Sequence, residues 1–202
     1  MKTNPSHLLM LALIMVPLAK GDGVADLLAR AEKGESVAQL ELGVIYSKGE
    51  GVKKDMAVAV KWLTQAAEQG NEDAQMKLGG IYIGGRGVPK SSSEAAKWFM
   101  MSAEKGSAAA QCQIARMHLS GAGVPKDDVE GYKWADLAAS QGDAAAKKVL
   151  AFLLLRMTPE QIADGKQRSH GFLELKKAEG SLELPAALPP VPVESLPLFA
   201  PE

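Results

Sequence analysis

Residues 74–106 read AQMKLGGIYIGGRGVPKSSSEAAKWFMMSAEKG, and shifting this stretch by 36 residues in either direction lays it over a near copy of itself. Upstream, the same slots hold Ala38-Gln39, Leu42-Gly43, Tyr46, Gly49-Glu50-Gly51-Val52, Trp62, Ala66-Ala67 and Gly70. Downstream they hold Ala110-Gln111, Ile114, Gly121-Ala122-Gly123-Val124, Trp134, Ala138-Ala139 and Gly142. Trp62, Trp98 and Trp134 keep the 36-residue interval, as do Gly51, Gly87 and Gly123. Self-similarity at a fixed period of this size marks an array of stacked units.

Each unit reads as two helices around a glycine loop. Ala74, Leu78 and Tyr82 fall at i, i+4 and i+8, one stripe of a first helix. Asn71 is its N-cap, and Gly70 suits the left-handed position that ends the preceding helix. Gly106-Ser107 and Gly142-Asp143 repeat that junction, with Gly34-Glu35 a weaker copy. The loop Gly84 to Pro89 then breaks the helix. Ser91 with Glu94, and Asp127 with Glu130, have capping-box spacing for the second helices, and Asp55 holds the place in the first unit. Gly43 and Gly79 sit inside first helices, where glycine costs about 1 kcal/mol against alanine. The expected compensation is close approach, with a neighbouring tryptophan lying against the bare backbone. One helix pair cannot cover its own apolar face, so the units must stack.

At these residues the chain resembles the Sel-1-like repeats, relatives of the tetratricopeptide repeats, whose pattern is AxxxLGxxYxxGxGVxxD, then A and W, then AAxxG. The structural positions of that pattern are Gly43, Tyr46 and Trp62, then Gly79, Tyr82 and Trp98, then Trp134. The third unit departs from it: Ala115 replaces a glycine, His118 a tyrosine and Gly131 a helical alanine. The resemblance runs from about Gly34 to Arg156 and implies an all-α fold, an α–α superhelix wound as a right-handed solenoid.

The expected organisation follows the chain. Residues 1–21 read as an export signal: Leu8 to Ala19 is an apolar core of about 18 Å as a helix, well short of a ~30 Å hydrocarbon layer. Pro17 breaks it and Ala19-Lys20-Gly21 offers small residues for cleavage; a buried N-terminal helix is the competing reading. Residues 22–34 form an N-terminal capping helix. Repeats occupy 35–70, 71–106 and 107–142. A partial repeat with a C-terminal capping helix spans 143–170, with Ala146, Leu150 and Leu154 in register and Thr158-Pro159-Glu160-Gln161 opening the cap. Residues 171–202 make an extended, proline-rich tail that is expected to be disordered.

A net charge of −1 over 202 residues, 23% of them charged, gives no electrostatic case for nucleic acid or an anionic membrane. The glycine loops precede a lysine and open a helix, as a phosphate loop does, but no strand leads in and GxxxxGK[ST] is absent. Ser102-Ala-Glu-Lys105 is an SxxK with no SDN or KTG after it, and its copies start with Ala66 and Ala138. His7, His118 and His170 have no metal-ligand spacing, so no metal or cofactor is implied. Cys112, the single cysteine, takes the slot of Leu40 and Met76. That favours apolar contact and a monomer, with a Cys112-linked dimer as the alternative.

The resemblance implies a non-catalytic scaffold or adaptor of the bacterial envelope, periplasmic or secreted, that binds a protein or peptide. The alternatives are a β-lactam-recognising hydrolase, as among some cysteine-rich relatives, or a structural subunit of an envelope complex. A groove lined by first helices is the expected binding surface. Its candidate residues are Leu40, Glu41 and Val44, then Met76 and Lys77, then Gln113 and Arg116. Leu40, Met76 and Cys112 form an apolar row flanked by Glu41, Lys77 and Arg116. The same row serves equally well to pack one first helix on the next.

Overall fold

The structure, a computed structural model, describes residues 21–181. Among them the chain forms α-helices and no strand. These are α1 (Gly21–Glu32), α2 (Ser36–Lys48), α3 (Met56–Glu68), α4 (Glu72–Gly84), α5 (Ser92–Glu104), α6 (Ala108–Ser120), α7 (Asp128–Ser140), α8 (Ala144–Leu154) and α9 (Pro159–Ser181). Each of α1 to α8 packs on its neighbours in sequence, while α9 lies along α7. The result is the expected all-α solenoid: α2–α3, α4–α5 and α6–α7 are full units, α1 caps one end and α8–α9 close the other. Residues 1–20 of the expected export signal lie outside the described residues, as do residues 182–202 of the tail. The tail boundary at 170 is corrected, because α9 continues through residues 171–181. Phe172 explains this: it packs its ring on Trp134 at 5.3 Å, edge to face, and so gives the helix something to bury.

Helix ends follow the polar side chains that the sequence places there. Asp55, Asn71, Ser91, Ser107, Asp127 and Asp143 each accept a backbone N–H of the first turn that follows. Gly70, Gly106 and Gly142 are left-handed, at φ 88°, 102° and 94°. Two of the capping boxes close only halfway. The N–H of Ser91 is held by Tyr82 O and that of Asp127 by His118 O, so neither glutamate is needed to reach back. Glu94 instead bonds Lys97, and Glu130 bonds Lys133 and Arg168. Thr158 and Gln161 do make the reciprocal pair, at 3.3 and 2.9 Å. The loop glycines serve packing between units. A Cβ on Gly87 would strike Met56, and one on Gly123 would strike the backbone of Ser92, both one unit back.

Inside each unit, the helical glycine meets the partner helix, but not through its tryptophan as expected. A Cβ on Gly43 would collide with Leu63, and one on Gly79 with the ring of Phe99. These residues follow the tryptophans by one position, and that single step turns them toward the first helix while the tryptophan turns toward the preceding unit. Trp62 accordingly joins the cluster of Leu27, Ala31, Ala38 and Leu42 from α1 and α2. In the third unit Ala115 stands in the glycine slot and Ala135 in that of Phe99, both fully buried. Gly131 now supplies the close approach, its missing Cβ leaving room for Leu119 at 3.1 Å and the carbonyl of Ala115 at 3.4 Å. The departures of the third unit are therefore one compensated set. His118, in the tyrosine slot, is buried and donates from Nδ1 to Pro125 O at 3.0 Å.

The closing pair differs from the full units. In α8 the buried residues are Ala146 and Leu153, with Leu150 half-buried; Leu154 is exposed, so the third register position is Leu153. Spacing of 3.6 residues per turn drifts round the helix, and the shift of one residue restores contact with the core. Helix α9 docks on α7 through several matched contacts. Gly165 lies against the ring of Tyr132, and Ser169 Oγ donates to Asp136 at 2.6 Å. Arg168 bonds Glu130 at 2.8 Å while Asp164 holds its other face. Lys133 sits over Trp134 at 4.5 Å. Because α9 covers α7, the outer face of α8 stays open, and Leu155 is 88% exposed there.

Burial ranks the tryptophans differently from their order in the stack. Trp134 is buried and carries Phe172, whereas the central Trp98 is only half-buried. Trp134→Ala should cost about 3–5 kcal/mol, the usual range for emptying a large aromatic site, and Trp98→Ala clearly less. Urea unfolding of both variants checks this; a costlier Trp98 change would contradict the packing described.

Candidate functional site

The expected groove residues lie on one row of first helices, but their apolar members are not free. Leu40 is half-buried against the cluster of Leu63, Ala66, Ala67, Ala74, Leu78 and Ile81, in α3 and α4. Met76 is half-buried against the next cluster, which includes Ala110 and Ile114. Cys112 is 4% exposed and packs with Ala138 and Ala146. The row therefore joins each unit to the following one, the second of the two readings. In the last unit the same slot is Lys148, which is exposed. An apolar row that ends in a lysine at the last unit among the described residues has the logic of a stack terminus.

What remains open on these helices is the flanking set. Glu41, Lys77 and Arg116 are exposed, and Val44 and Gln113 are half-buried beside them. These positions share no residue type from unit to unit, although the packed positions beside them do. The surface is thus charged and individual, on a backbone held constant by the repeat.

A second constellation was missed in the sequence. Gln39, Gln75 and Gln111 are buried, at 36-residue spacing, and each donates its Nε2 to the last turns of the preceding second helix. The acceptors are Ala31 O, Ala67 O and Ala103 O, at 3.0, 3.0 and 3.1 Å. Each bond ties two units together and gives a second donor to a helix-end carbonyl that also accepts from the glycine three residues on, Gly34, Gly70 or Gly106. In the outer units the glutamine oxygens are satisfied too: Gln69 donates to Gln39 at 2.7 Å and Gln141 to Gln111 at 2.8 Å. The signal was visible as an Ala-Gln pair in every copy, a polar residue repeated in register beside a core alanine.

Two hollows open at the C-terminal ends of the second helices, beneath α9. The first, about 330 Å³, is lined by Ala67, Gly70, Gln75, Met101, Lys105 and Lys176, among others. The second, about 250 Å³, shares Lys105 and Lys176 and continues to Gln141 and Leu173.

The chemically tempting residues are placed for packing. Ser102 is 0% exposed, so its hydroxyl cannot meet a substrate, and Lys105 three residues on donates to Gly70 O at 2.6 Å. Burial raises the Cys112 thiol above its ordinary range, with the Asp143 carboxylate adding to the effect. A thiol that is buried and slow to ionise is a poor disulfide partner, which argues against the Cys112-linked dimer. No group of three His, Cys, Asp or Glu able to hold a metal occurs among the described residues. No helix among them is long and apolar enough to cross a membrane.

Comparison with known proteins agrees with the geometry. The Sel1 repeat model matches residues 36–71, 72–107 and 108–143, one residue later than the boundaries read from the sequence and with the same period. The chain is similar to a Sel1 repeat protein from Oxalobacter formigenes, with 38% identity over 64% of this chain and 97% of that one and a TM-score of 0.60. It is also similar to a protective antigen of uropathogenic Escherichia coli strains that displays an SLR fold, at 27% identity and a TM-score of 0.69. That match covers 84% of this chain but 38% of the antigen, so the chain spans well under half of the antigen's length. No curated protein matches the chain.

The glutamine ladder predicts unequal costs for equal substitutions. Gln111→Met removes two hydrogen bonds, the one to Ala103 O and the one from Gln141, and should cost about 1–3 kcal/mol. Gln75→Met loses only the bond to Ala67 O, so it should cost less. Equal losses in chemical denaturation would show that the outer pair contributes nothing.

Proposed function

The chain belongs to the Sel1 repeat family, whose proteins are in general protein-interaction scaffolds, and on that premise we propose that it is a non-catalytic adaptor of the bacterial envelope. It holds a protein or peptide partner on the exposed face of its first helices. The observation that carries this reading is the division of labour on those helices. Packed slots repeat, with Ala38, Ala74 and Ala110 and with Leu42, Leu78 and Ile114 all at 0% exposure. Slots beside them vary: one holds Glu41, Lys77 and Gln113 and another Val44, Gly80 and Arg116, with Glu41, Lys77 and Arg116 exposed. A repeat fold keeps what stacking requires and leaves the remaining surface to be shaped by a partner.

Export through the N-terminal segment belongs to the same proposal, and rests on the short apolar core that ends in small residues before Gly21. N-terminal sequencing of the mature protein should find a start near Gly21, where α1 opens; a mature form beginning at Met1 contradicts export. The hydrolase alternative loses support from the burial of Ser102, the one serine with an SxxK lysine.

Met76 contributes to the core, so a test of the binding face must leave it alone. Lys77→Glu combined with Arg116→Glu reverses two exposed charges at little cost to stability, since surface substitutions stay within about 0.5 kcal/mol each. Cross-linked capture from the periplasm should lose its specific partner with this variant while the melting temperature stays within a few degrees. Undiminished capture would move the binding surface elsewhere.

A further inference from the structure

The glutamine ladder is interrupted at one rung. Gln39 Oε1 and Gln111 Oε1 each accept from a glutamine Nε2, of Gln69 and Gln141. The residue at the corresponding place of the middle unit is Lys105, whose Nζ donates to Gly70 O at 2.6 Å. Gln75 is 3% exposed, and its Oε1 has no hydrogen-bond partner. Gln65 Oε1, Trp98 Nε1, Ser102 Oγ, Asp128 Oδ1 and Trp134 Nε1 also lack partners, but none of these residues lines either hollow. Gln75 does line one, the cleft of about 330 Å³ with Gly70, Met101, Lys105 and Lys176.

A buried carbonyl oxygen without a donor costs about 1–3 kcal/mol, and such groups in folded proteins call for an explanation. Any group that relieves Gln75 must donate an N–H or O–H to its Oε1. It must also suit a surrounding with two lysines, so it should offer an acceptor as well. A carboxylate has no donor to give, and an ammonium has no acceptor and would meet Lys105 and Lys176. A primary carboxamide has both functions on one planar group, and it is the group found at this rung in the two neighbouring units. We propose that the cleft under α9 binds a primary carboxamide, the side chain of an asparagine or glutamine in an extended segment of the partner protein. The assignment rests on the scaffold reading above and refines it by naming what one part of the partner presents.

The recognition is specific in its hydrogen bonds. The ligand NH₂ donates to Gln75 Oε1, in the manner of Gln69 on Gln39. Gln75 Oε1 is closed to solvent while Lys105 is on Gly70, so the ligand enters as Lys105 lets go and turns its ammonium to the incoming amide oxygen. Met101 is 47% exposed and lies at the cleft, while Leu173, 51% exposed, lines the adjoining hollow. Together they give the flanking residues of an extended segment an apolar bed. Lys176, held by Glu179 at 2.8 Å, borders both hollows.

The test uses the full chain, labelled with ¹⁵N, and two small probes: N-acetylglutamine methylamide and N-acetylglutamate methylamide. A single side chain supplies only a weak contact, so binding in the millimolar range is expected. The glutamine probe should move the side-chain NH₂ signals of Gln75 in a saturable way, and the glutamate probe should not. Lys105→Gln places the protein's own carboxamide on the rung; it should weaken probe binding at least tenfold while the melting temperature holds or rises. Lys105→Met leaves Gln75 without a donor and should still bind the glutamine probe, more weakly than the wild type. No response at Gln75 up to the solubility limit, or full binding by Lys105→Gln, overturns the proposal. Either result leaves capture through Lys77 and Arg116 intact, so the failure of this site is distinct from failure of the scaffold reading.

Discussion

Everything in this fold depends on how closely two helices of one unit can approach. Gly43 and Gly79 remove a side chain where Leu63 and Phe99 press on the first helix, and a Cβ at either place would collide with them. With helices that near, the tryptophan one position earlier faces the preceding unit, as Trp62 does on α1 and α2. The contact inside a unit thereby orients the contact between units. A buried glutamine completes the junction by adding a second donor to a carbonyl at the end of the helix before it, as Gln111 does for Ala103 at 3.1 Å. Cohesion is thus local and repeated, as expected of a quasi-one-dimensional array.

Most of this was legible. The period fixed the helix pairs, the loop glycines marked the turns, and small polar residues before each helix marked the caps. What could not be read was direction. From Trp98 and Phe99 alone, nothing in the sequence says which of two adjacent aromatics turns toward Gly79, because a helix rotates 100° per residue and both neighbours look apolar. The same limit applies to α8, where Leu153 and Leu154 differ by one step and only the first is buried. The end of α9 was misplaced for another reason. Its stability comes from Phe172 meeting Trp134, a contact 38 residues apart in sequence that no local pattern displays.

The candidate binding surface was legible by half. An apolar residue repeated at 40, 76 and 112 is compatible with a ligand groove and with a packing seam, and the structure assigns it to the seam. The charged neighbours Glu41, Lys77 and Arg116 stay exposed as the sequence suggested. The glutamines were passed over because a lone polar residue in an apolar stripe has no meaning until its acceptor is known. Once Gln69 and Gln141 are seen to donate to Gln39 and Gln111, Lys105 stands out as the residue in their slot that leaves Gln75 Oε1 without a donor. Departures inside a repeat are informative only against a role that the other copies define.

The close fit of Gly79 and Phe99 is the claim on which the rest stands, and a double-mutant cycle measures it. Gly79→Ala alone should destabilise the protein by about 1–3 kcal/mol, the usual cost of overpacking, despite the higher helix propensity of alanine. In a Phe99→Ala background the same change should be neutral or stabilising, because the ring it strikes is gone. A coupling energy of at least about 1 kcal/mol between the two positions is the predicted result. Additive effects, with Gly79→Ala costing the same in both backgrounds, would show that the helices are not held by this contact and would contradict the account.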